Sequence, residues 1–221
     1  MNKGKLIVVE GACDGIGKST QFSLLKEDLE KENVVVNHHF PTYESTQGSF
    51  ATNYLKGDYG TPSELSPYFI NNLYALDRSI TWQTKLKDAY DNGNIILLDR
   101  YTTSSLIYQS CLIEDEEEKK KFIDWVIDYE YNKLEIPKPD LVVFLTANFD
   151  TVMELKSKRT ANDGVENDIH ERNNDFMKKV YESALFVANY LGWDMVICDQ
   201  DGQMRSIKDI HNDVLSLVKK L

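Results

Sequence analysis

A glycine-rich segment that ends in Gly-Lys-Ser carries the clearest chemical signal in the chain. It spans residues 11–19 and follows the apolar stretch Leu6–Glu10. Backbone N–H groups in such a turn point into one concavity, and the start of the following helix adds partial positive charge. Lys18 would contact the β- and γ-phosphates of a nucleotide, and the Ser19 hydroxyl would ligate Mg²⁺. The sequence therefore predicts an ATP phosphate site formed by Gly15, Ile16, Gly17, Lys18, Ser19 and Thr20.

The spacing of this loop differs from the strict phosphate-loop pattern by one position. That pattern has a glycine, four residues and then Gly-Lys-Ser/Thr. Its first glycine would be residue 12, but the chain has Ala12 there and Gly11 one place earlier. Either the loop is one residue longer than the pattern, or Ala12 occupies the glycine position. A dinucleotide-binding fingerprint is excluded, because Lys18 and the residues after it stand where its third glycine would be.

Composition limits the class of protein. The 221 residues suffice for one α/β domain, so we expect a single domain over residues 1–221. The net charge of −11 argues against sequence-independent nucleic-acid binding, and no apolar run is long enough to cross a membrane. The scattered cysteines Cys13, Cys111 and Cys198 form neither a zinc pattern nor a disulfide framework. With no secretory signal, these features favour a reducing cytoplasm.

The order of apolar and amphipathic segments predicts an α/β fold with a five-stranded parallel sheet flanked by helices. The strands are expected at Leu6–Glu10, Val34–Phe40, Asn94–Asp99, Leu141–Thr146 and Met195–Cys198. The helices are expected at Ser19–Lys31, Leu65–Asn92, Glu116–Lys133, Phe149–Lys158, Ile169–Leu191 and Ser206–Lys220. Ligands of such sheets bind beyond the carboxyl ends of the strands. Function is therefore expected near Asp14–Ser19, Phe40–Glu44 and Asp99–Arg100, and after Thr146.

Two polar segments lie outside this pattern. Residues 156–167 contain Gly164 and several charges between two helical patterns. Such a segment can form a lid that excludes water from a phosphate site, or it can be an ordinary surface loop. In residues 114–121, opposite charges recur three and four positions apart. That spacing indicates a solvated helix face.

Several further motifs, in this order along the chain, resemble those of the thymidylate kinase family of P-loop nucleoside monophosphate kinases. They are Phe40-Pro41-Thr42-Tyr43-Glu44, Leu73–Arg78, Asp99-Arg100-Tyr101, Lys138-Pro139-Asp140 and Asp168–Arg172. The resemblance extends over essentially the whole chain. It implies the P-loop nucleoside monophosphate kinase fold with a short lid at about residues 156–167. It also implies transfer of the ATP γ-phosphoryl group to dTMP, giving dTDP and ADP, with Mg²⁺ as cofactor, in a homodimer.

The resemblance assigns roles on the ATP side. Lys18 and Mg²⁺ would hold the donor phosphates, with Ser19 on the metal directly and Asp99 through water. Asp99 could also act as a helix N-cap. Asp14 would lie by the acceptor 3′-hydroxyl or the metal. Because Gly15 and Ile16 bring no cation into the loop, the resemblance implies that the lid supplies one. The candidates are Lys156, Lys158 and Arg159, and Arg159 has the most suitable fork geometry.

The remaining roles concern the acceptor. Arg100 would clamp the phosphate of dTMP, with a surface ion pair as the alternative. Arg78 would reach the base or the phosphate, unless it pairs along its helix. Tyr74 would stack on thymine or belong to the core, and Tyr108 would pack against the sugar and disfavour a 2′-hydroxyl. The other expected acceptor contacts are Phe40, Pro41, Tyr43, Ser105 and His170.

A deoxynucleoside kinase that phosphorylates thymidine is the alternative function. It would share the phosphate loop and the general architecture. Its third-strand motif usually reads Glu-Arg-Ser, whereas this chain has Asp99-Arg100-Tyr101. An acceptor without a phosphate would also leave Arg100 partly unpaired.

Overall fold

The computed structural model describes residues 3–155 and 174–221. Its central sheet has five parallel strands in the order β2-β3-β1-β4-β5, which confirms the expected fold. The strands are β1 (Lys5–Gly11), β2 (Val35–His39), β3 (Ile95–Asp99), β4 (Leu141–Thr146) and β5 (Asp194–Ile197). The strand order reverses direction around β1. A topological switch point of this kind is where open α/β sheets bind ligands, and the phosphate loop follows β1 there.

Helices cover both faces of this sheet. They are α1 (Lys18–Leu29), α2 (Ser49–Lys56), α3 (Pro67–Thr81), α4 (Lys87–Asp91), α5 (Thr102–Tyr108), α6 (Glu116–Ile127), α7 (149–155), α8 (Asn174–Leu191) and α9 (Ile207–Val218). All six residues of β4 are buried, as are six of the seven in β1. Burial on both faces explains why these strands are continuous apolar runs without polar alternation.

The helices differ from the sequence-based expectation in two respects. The short helix α2 was not expected, and α5 was expected only as a helix that Asp99 could cap, without bounds of its own. The long helix predicted over Leu65–Asn92 is interrupted, because Trp82–Leu86 is a π-helical segment between α3 and α4. A second π-helical segment, Asp128–Lys133, follows α6. A π segment adds one residue to a turn without changing the apolar pattern enough to show in the sequence.

Two smaller features complete the fold. Asp199–Gln200 and Gln203–Met204 form a two-stranded antiparallel hairpin before α9. Along α6, Lys120 and Lys121 pair with glutamates three and four positions earlier, as the charge pattern indicated. Within residues 3–155 and 174–221, no helix has the length and apolar character needed to span a membrane.

Candidate active site

The loop after β1 packs closely over the end of its own strand. Ala12 N still donates a hydrogen bond to Leu145 O of β4, at 2.9 Å. A Cβ atom on Gly11 would lie 2.9 Å from Ile16 Cγ2, closer than Cβ atoms normally approach other atoms. Gly11 thus permits the close approach expected at the first glycine of the pattern. This packing favours a loop one residue longer over a replacement of glycine by Ala12.

Two further glycines shape the loop before α1. Gly15 and Gly17 have φ angles of 92° and 94°, which residues with a side chain rarely adopt. The side chain of Ile16 is buried in the core, so only its backbone faces a ligand at this point. Ser19 and Thr20 lie exposed in the first turn of α1, at the positive end of the helix dipole.

Lys18 and the acidic residue at the end of β3 meet beside the loop. The Lys18 ammonium group forms an ion pair with Asp99, and His39 Nδ1 lies 3.0 Å from the other carboxylate oxygen of Asp99. Burial raises the pKa of Asp99, but the hydrogen bond from His39 and the charge of Lys18 outweigh it and lower the pKa to about 2. Asp99 is therefore ionised at neutral pH. The N-cap of α5 is Tyr101, so Asp99 does not cap that helix.

Asp14, Arg100 and Tyr108 form a second cluster, next to Lys18. The Arg100 guanidinium pairs with the Asp14 carboxylate, and its Cζ lies 5.5 Å from the centre of the Tyr108 ring. Tyr108 donates its hydroxyl to the other Asp14 oxygen at 3.1 Å. Burial and the Asp14 charge raise the pKa of Tyr108 well above its usual range, so the hydroxyl keeps its proton. Arg100 is thus held in the site by charged and aromatic partners and is not part of a surface pair.

Glu10 lies beneath this cluster and was not identified from the sequence. It is fully buried at the end of β1 and accepts hydrogen bonds from the hydroxyls of Thr103 and Ser104, at 2.8 and 2.5 Å. Arg100 Nη1 is 3.5 Å from its Oε1 atom. An acidic residue at the end of an apolar strand is the sequence signal, since a buried carboxylate needs such partners.

The turn after β2 forms the opposite wall. Phe40 and Pro41 are buried and joined by a cis peptide bond. Thr42 N donates to the buried Asp77 carboxylate of α3 at 2.6 Å, so this residue is anchored to the protein. Tyr43 is half exposed, and its ring stacks on His39 with the centroids 5.8 Å apart.

Arg78 lies at the far end of the site in a buried ion pair that joins α3 to the π segment after α6. Its Nε and Nη2 atoms donate to the two Glu130 oxygens at 2.7 and 2.6 Å, and Nη2 also donates to Ser105 Oγ at 2.9 Å. Burial lowers the pKa of Arg78, but Glu130 outweighs it and the net shift is upward. Arg78 therefore forms its ion pair with Glu130 of another element, and on its own helix Nη2 lies 3.5 Å from the amide oxygen Asn71 Oδ1. Glu130 was not identified from the sequence.

These groups surround one cavity of about 370 Å³ that extends from the phosphate loop to Arg78. The sequence-predicted residues that line it are Asp14, Lys18, Ser19, Phe40, Pro41, Tyr43, Tyr74, Arg78, Asp99, Arg100, Ser105 and Tyr108. The lining also includes Gln109, which was not predicted. The Gln109 side chain is buried, and its Oε1 atom has no hydrogen-bond partner within residues 3–155 and 174–221. That amide is a candidate contact for a polar ligand.

Three expectations fall outside the described residues. They are the lid at 156–167, its cation Arg159 and the acceptor contact His170. Their roles stay predictions.

A parallel sheet with a phosphate loop after its central strand, and an acceptor cavity beside that loop, define a P-loop kinase architecture. Comparison with known proteins narrows this class. The family model described as Thymidylate kinase matches residues 9–214. The thymidylate kinase of Plasmodium falciparum is 30% identical over 222 residues, which cover 99% of this chain and 91% of that protein. A probable thymidylate kinase of Caldivirga maquilingensis is 29% identical over 96% of this chain and 91% of that protein.

A solved structure shows the same fold. The thymidylate kinase structure from Candida albicans superposes with a TM-score of 0.74 at 23% identity, covering 99% of this chain and 92% of that one. The chain belongs to the thymidylate kinase family. The resemblance seen in the ordered motifs is thereby confirmed.

Proposed function

We propose that this protein transfers the γ-phosphoryl group of ATP to dTMP, giving dTDP and ADP. One observation carries the proposal: a single cavity connects the phosphate loop, through Lys18, with an acceptor pocket that ends at Arg78. Phosphoryl transfer requires mainly that donor and acceptor are held in line and that charge is balanced on the transferred group. Family membership supports the same reaction and does not favour the thymidine-phosphorylating alternative.

The donor half of the site suits the phosphates of ATP. The loop amides and the start of α1 attract negative charge, and Lys18 is positioned to follow the γ-phosphoryl group. In the structure Lys18 pairs with Asp99. Arrival of ATP would exchange this partner for phosphate oxygens, so that Lys18 stabilises charge on the transferred group.

Mg²⁺ fits the oxygen groups beside Lys18. Ser19 offers a hydroxyl and Asp99 an ionised carboxylate, and both line the cavity. Mg²⁺ prefers oxygen ligands and is commonly held by one or two protein groups together with phosphates and water. When bound, the ion neutralises the β- and γ-phosphates. Ser19 would hold it directly and Asp99 through water.

The acceptor half suits a deoxynucleoside monophosphate. Arg100 offers a planar fork for the phosphate near the loop, and Asp14 fixes the orientation of that fork. Tyr108 presents its ring beside Arg100, where a sugar would lie. Arg78 and Gln109 offer polar groups at the base end, and the half-buried ring of Tyr74 can stack on the base.

We also propose the domain organisation, the lid and the localisation of the enzyme. Residues 1–221 form one kinase domain in which segment 156–167 closes as a lid, Arg159 supplies the transition-state cation and His170 contacts the acceptor. We place the enzyme in the cytoplasm, without nucleic-acid or membrane partners. The negative net charge of −11 supports the exclusion of nucleic acid.

The reaction can be tested by incubating the protein with Mg-ATP and one acceptor at a time, and following ADP release. We expect strong turnover with dTMP and little with thymidine or with ribonucleoside monophosphates. Omission of Mg²⁺ should abolish turnover. Turnover with thymidine and none with dTMP would overturn the proposal and the phosphate role of Arg100. It would not contradict the binding of ATP by the phosphate loop.

Replacing Tyr108 should weaken the selection of deoxyribose. Without the ring, Tyr108→Ala leaves space for a 2′-hydroxyl, so the preference for dTMP over ribothymidine monophosphate should fall about tenfold. Tyr108→Phe is the matched control, because it keeps the ring and loses the hydroxyl that bonds to Asp14. The measurement is kcat/KM for both acceptors. An unchanged ratio in Tyr108→Ala would remove Tyr108 from sugar selection.

Helix α3 carries an exposed apolar stripe that fits a second copy of the chain. Phe69, Leu76 and Ile80 are 44%, 42% and 37% exposed, and their spacing puts them on one helix face. The same helix brings Tyr74 and Arg78 to the cavity. A homodimer packed along this stripe would therefore also brace the acceptor site.

Placing charge in the stripe should separate the copies. Leu76→Glu would put like charges close together across a two-fold interface, so sedimentation should change from dimer to monomer at micromolar concentration. Ile207→Glu is the matched control, since Ile207 is 58% exposed on α9, away from α3. A wild-type protein that sediments only as a monomer would contradict the homodimer.

A further inference from the structure

Glu130 holds Arg78 through contacts that account for most of the Arg78 guanidinium. A guanidinium has five N–H donors: one on Nε and two on each terminal nitrogen. Glu130 accepts the Nε donor and one Nη2 donor, and Ser105 Oγ accepts from Nη2 as well. Arg78 also lines the cavity. Nη2 also lies 3.5 Å from Asn71 Oδ1. Within residues 3–155 and 174–221 no protein group accepts from Nη1, so the two Nη1 donors are the ones left for a ligand.

The Glu130 carboxylate is itself fixed in place. It is fully buried, and its Oε2 atom accepts a third hydrogen bond, from Thr102 Oγ1 at 2.9 Å. Its backbone lies in the π segment Asp128–Lys133, where Leu134 N bonds to Tyr129 O five residues earlier. Such π turns occur often at functional sites, because the extra residue redirects a side chain.

This arrangement determines what the base end of the cavity can bind. Both partners of the pair are buried. Moving either one away would leave the other as an unpaired buried charge, which costs a large amount of free energy. A fixed pair of N–H donors can donate to a ring carbonyl but repels an exocyclic amino group, which also carries N–H donors. The neighbouring buried carboxylate, Asp77, is bonded to Thr42 N and Thr81 Oγ1 and does not replace Glu130.

We propose that Glu130 is a positioning residue that fixes the Arg78 fork and thereby makes the acceptor site select a pyrimidine with a carbonyl at ring position 4. This inference rests on the proposed function. It assigns base selection partly to a residue that does not line the cavity, acting through Arg78 and supported by Thr102.

The test compares dUMP with dCMP, which carry a carbonyl and an amino group, respectively, at ring position 4. Wild-type enzyme should prefer dUMP in kcat/KM. In Glu130→Gln the preference should fall about tenfold, mainly through a higher KM for dUMP, because Arg78 is no longer held. Glu130→Asp keeps the charge at a shorter reach and should give an intermediate ratio. Glu116→Gln, on the exposed face of α6, should leave the ratio unchanged.

Three further variants keep the test decisive. Thr102→Val removes one hydrogen bond to Glu130 but keeps the ion pair, so its ratio should fall about threefold. If thermal unfolding shows that Glu130→Gln does not fold, the Thr102→Val ratio tests whether Glu130 positions Arg78. Arg78→Met gives the ratio of a site without the fork, and Arg78→Met/Glu130→Gln should give that same ratio, since Glu130 acts only through Arg78. A lower ratio in the double variant than in Arg78→Met would contradict that route.

The outcomes separate the two proposals. A wild-type protein that phosphorylates neither dTMP nor dUMP would refute the proposed function. Wild-type activity on dTMP, together with a folded Glu130→Gln or Thr102→Val variant that keeps the full preference for dUMP, would refute only the role of Glu130.

Discussion

Lys18→Ala should lose about a thousandfold in kcat, the largest effect of any single substitution considered, because one preorganised charge on the transferred group is removed. Lys18 is the cation of the phosphate loop and pairs with Asp99 until a nucleotide replaces that partner. The effect on kcat should exceed the effect on the KM for ATP, since the charge on the transferred oxygens grows in the transition state.

Lys26→Ala provides the matched control. Lys26 lies on the same helix, α1, and pairs with Glu30 on the surface, at 3.6 Å. That variant should keep wild-type kinetics. Thermal unfolding should show both variants folded, because His39 still bonds to Asp99 when Lys18 is absent. Near-normal turnover in a folded Lys18→Ala protein would refute the mechanism.

The sheet could be predicted from the sequence because its strands are buried on both faces. In the strand Leu141–Thr146 every residue before Thr146 is apolar, and burial between helices is the physical reason for that composition. The short helix α2 could not be predicted in this way. Eight residues give barely two turns of periodicity, and α2 begins at Ser49 without a side-chain cap. Its stability comes from packing against α3.

The candidate site was predictable where it lies at the ends of strands. Lys18 follows β1, Asp99 ends β3, and Arg100 comes directly after Asp99. Parallel strands bring their carboxyl ends to one edge of the sheet. The sequence motifs therefore point to residues that the fold brings around one cavity. Their individual roles stay predictions until variants are measured.

The supporting carboxylates were not predictable. Glu130 is 52 positions from Arg78, and Glu10 is 93 positions from Thr103. A buried glutamate has no sequence pattern that separates it from a solvated one, as the exposed Glu116 on the same helical stretch shows. Only the fold reveals which carboxylate meets a partner in the interior, where an unpaired charge would be destabilising.

Replacing Arg100 should weaken the binding of dTMP far more than the binding of thymidine. Arg100→Met keeps much of the side-chain volume but removes the charged fork, so dTMP affinity should fall about 100-fold, the upper range for charge-assisted hydrogen bonds. Thymidine has no phosphate and should bind the variant about as well as the wild type. Arg100→Lys keeps a charge but not the planar fork and should lie between the two. Calorimetric titration with both ligands measures the difference.

The network around Arg100 provides the control for this experiment. Asp14 loses its ion-pair partner in Arg100→Met but keeps the Tyr108 hydroxyl, and Glu10 keeps the hydroxyls of Thr103 and Ser104. The fold should therefore survive. Arg205→Lys, at a surface pair with Asp213, should change neither affinity. An equal loss of dTMP and thymidine binding in Arg100→Met would show that Arg100 supports the shape of the pocket, and it would remove Arg100 from phosphate recognition.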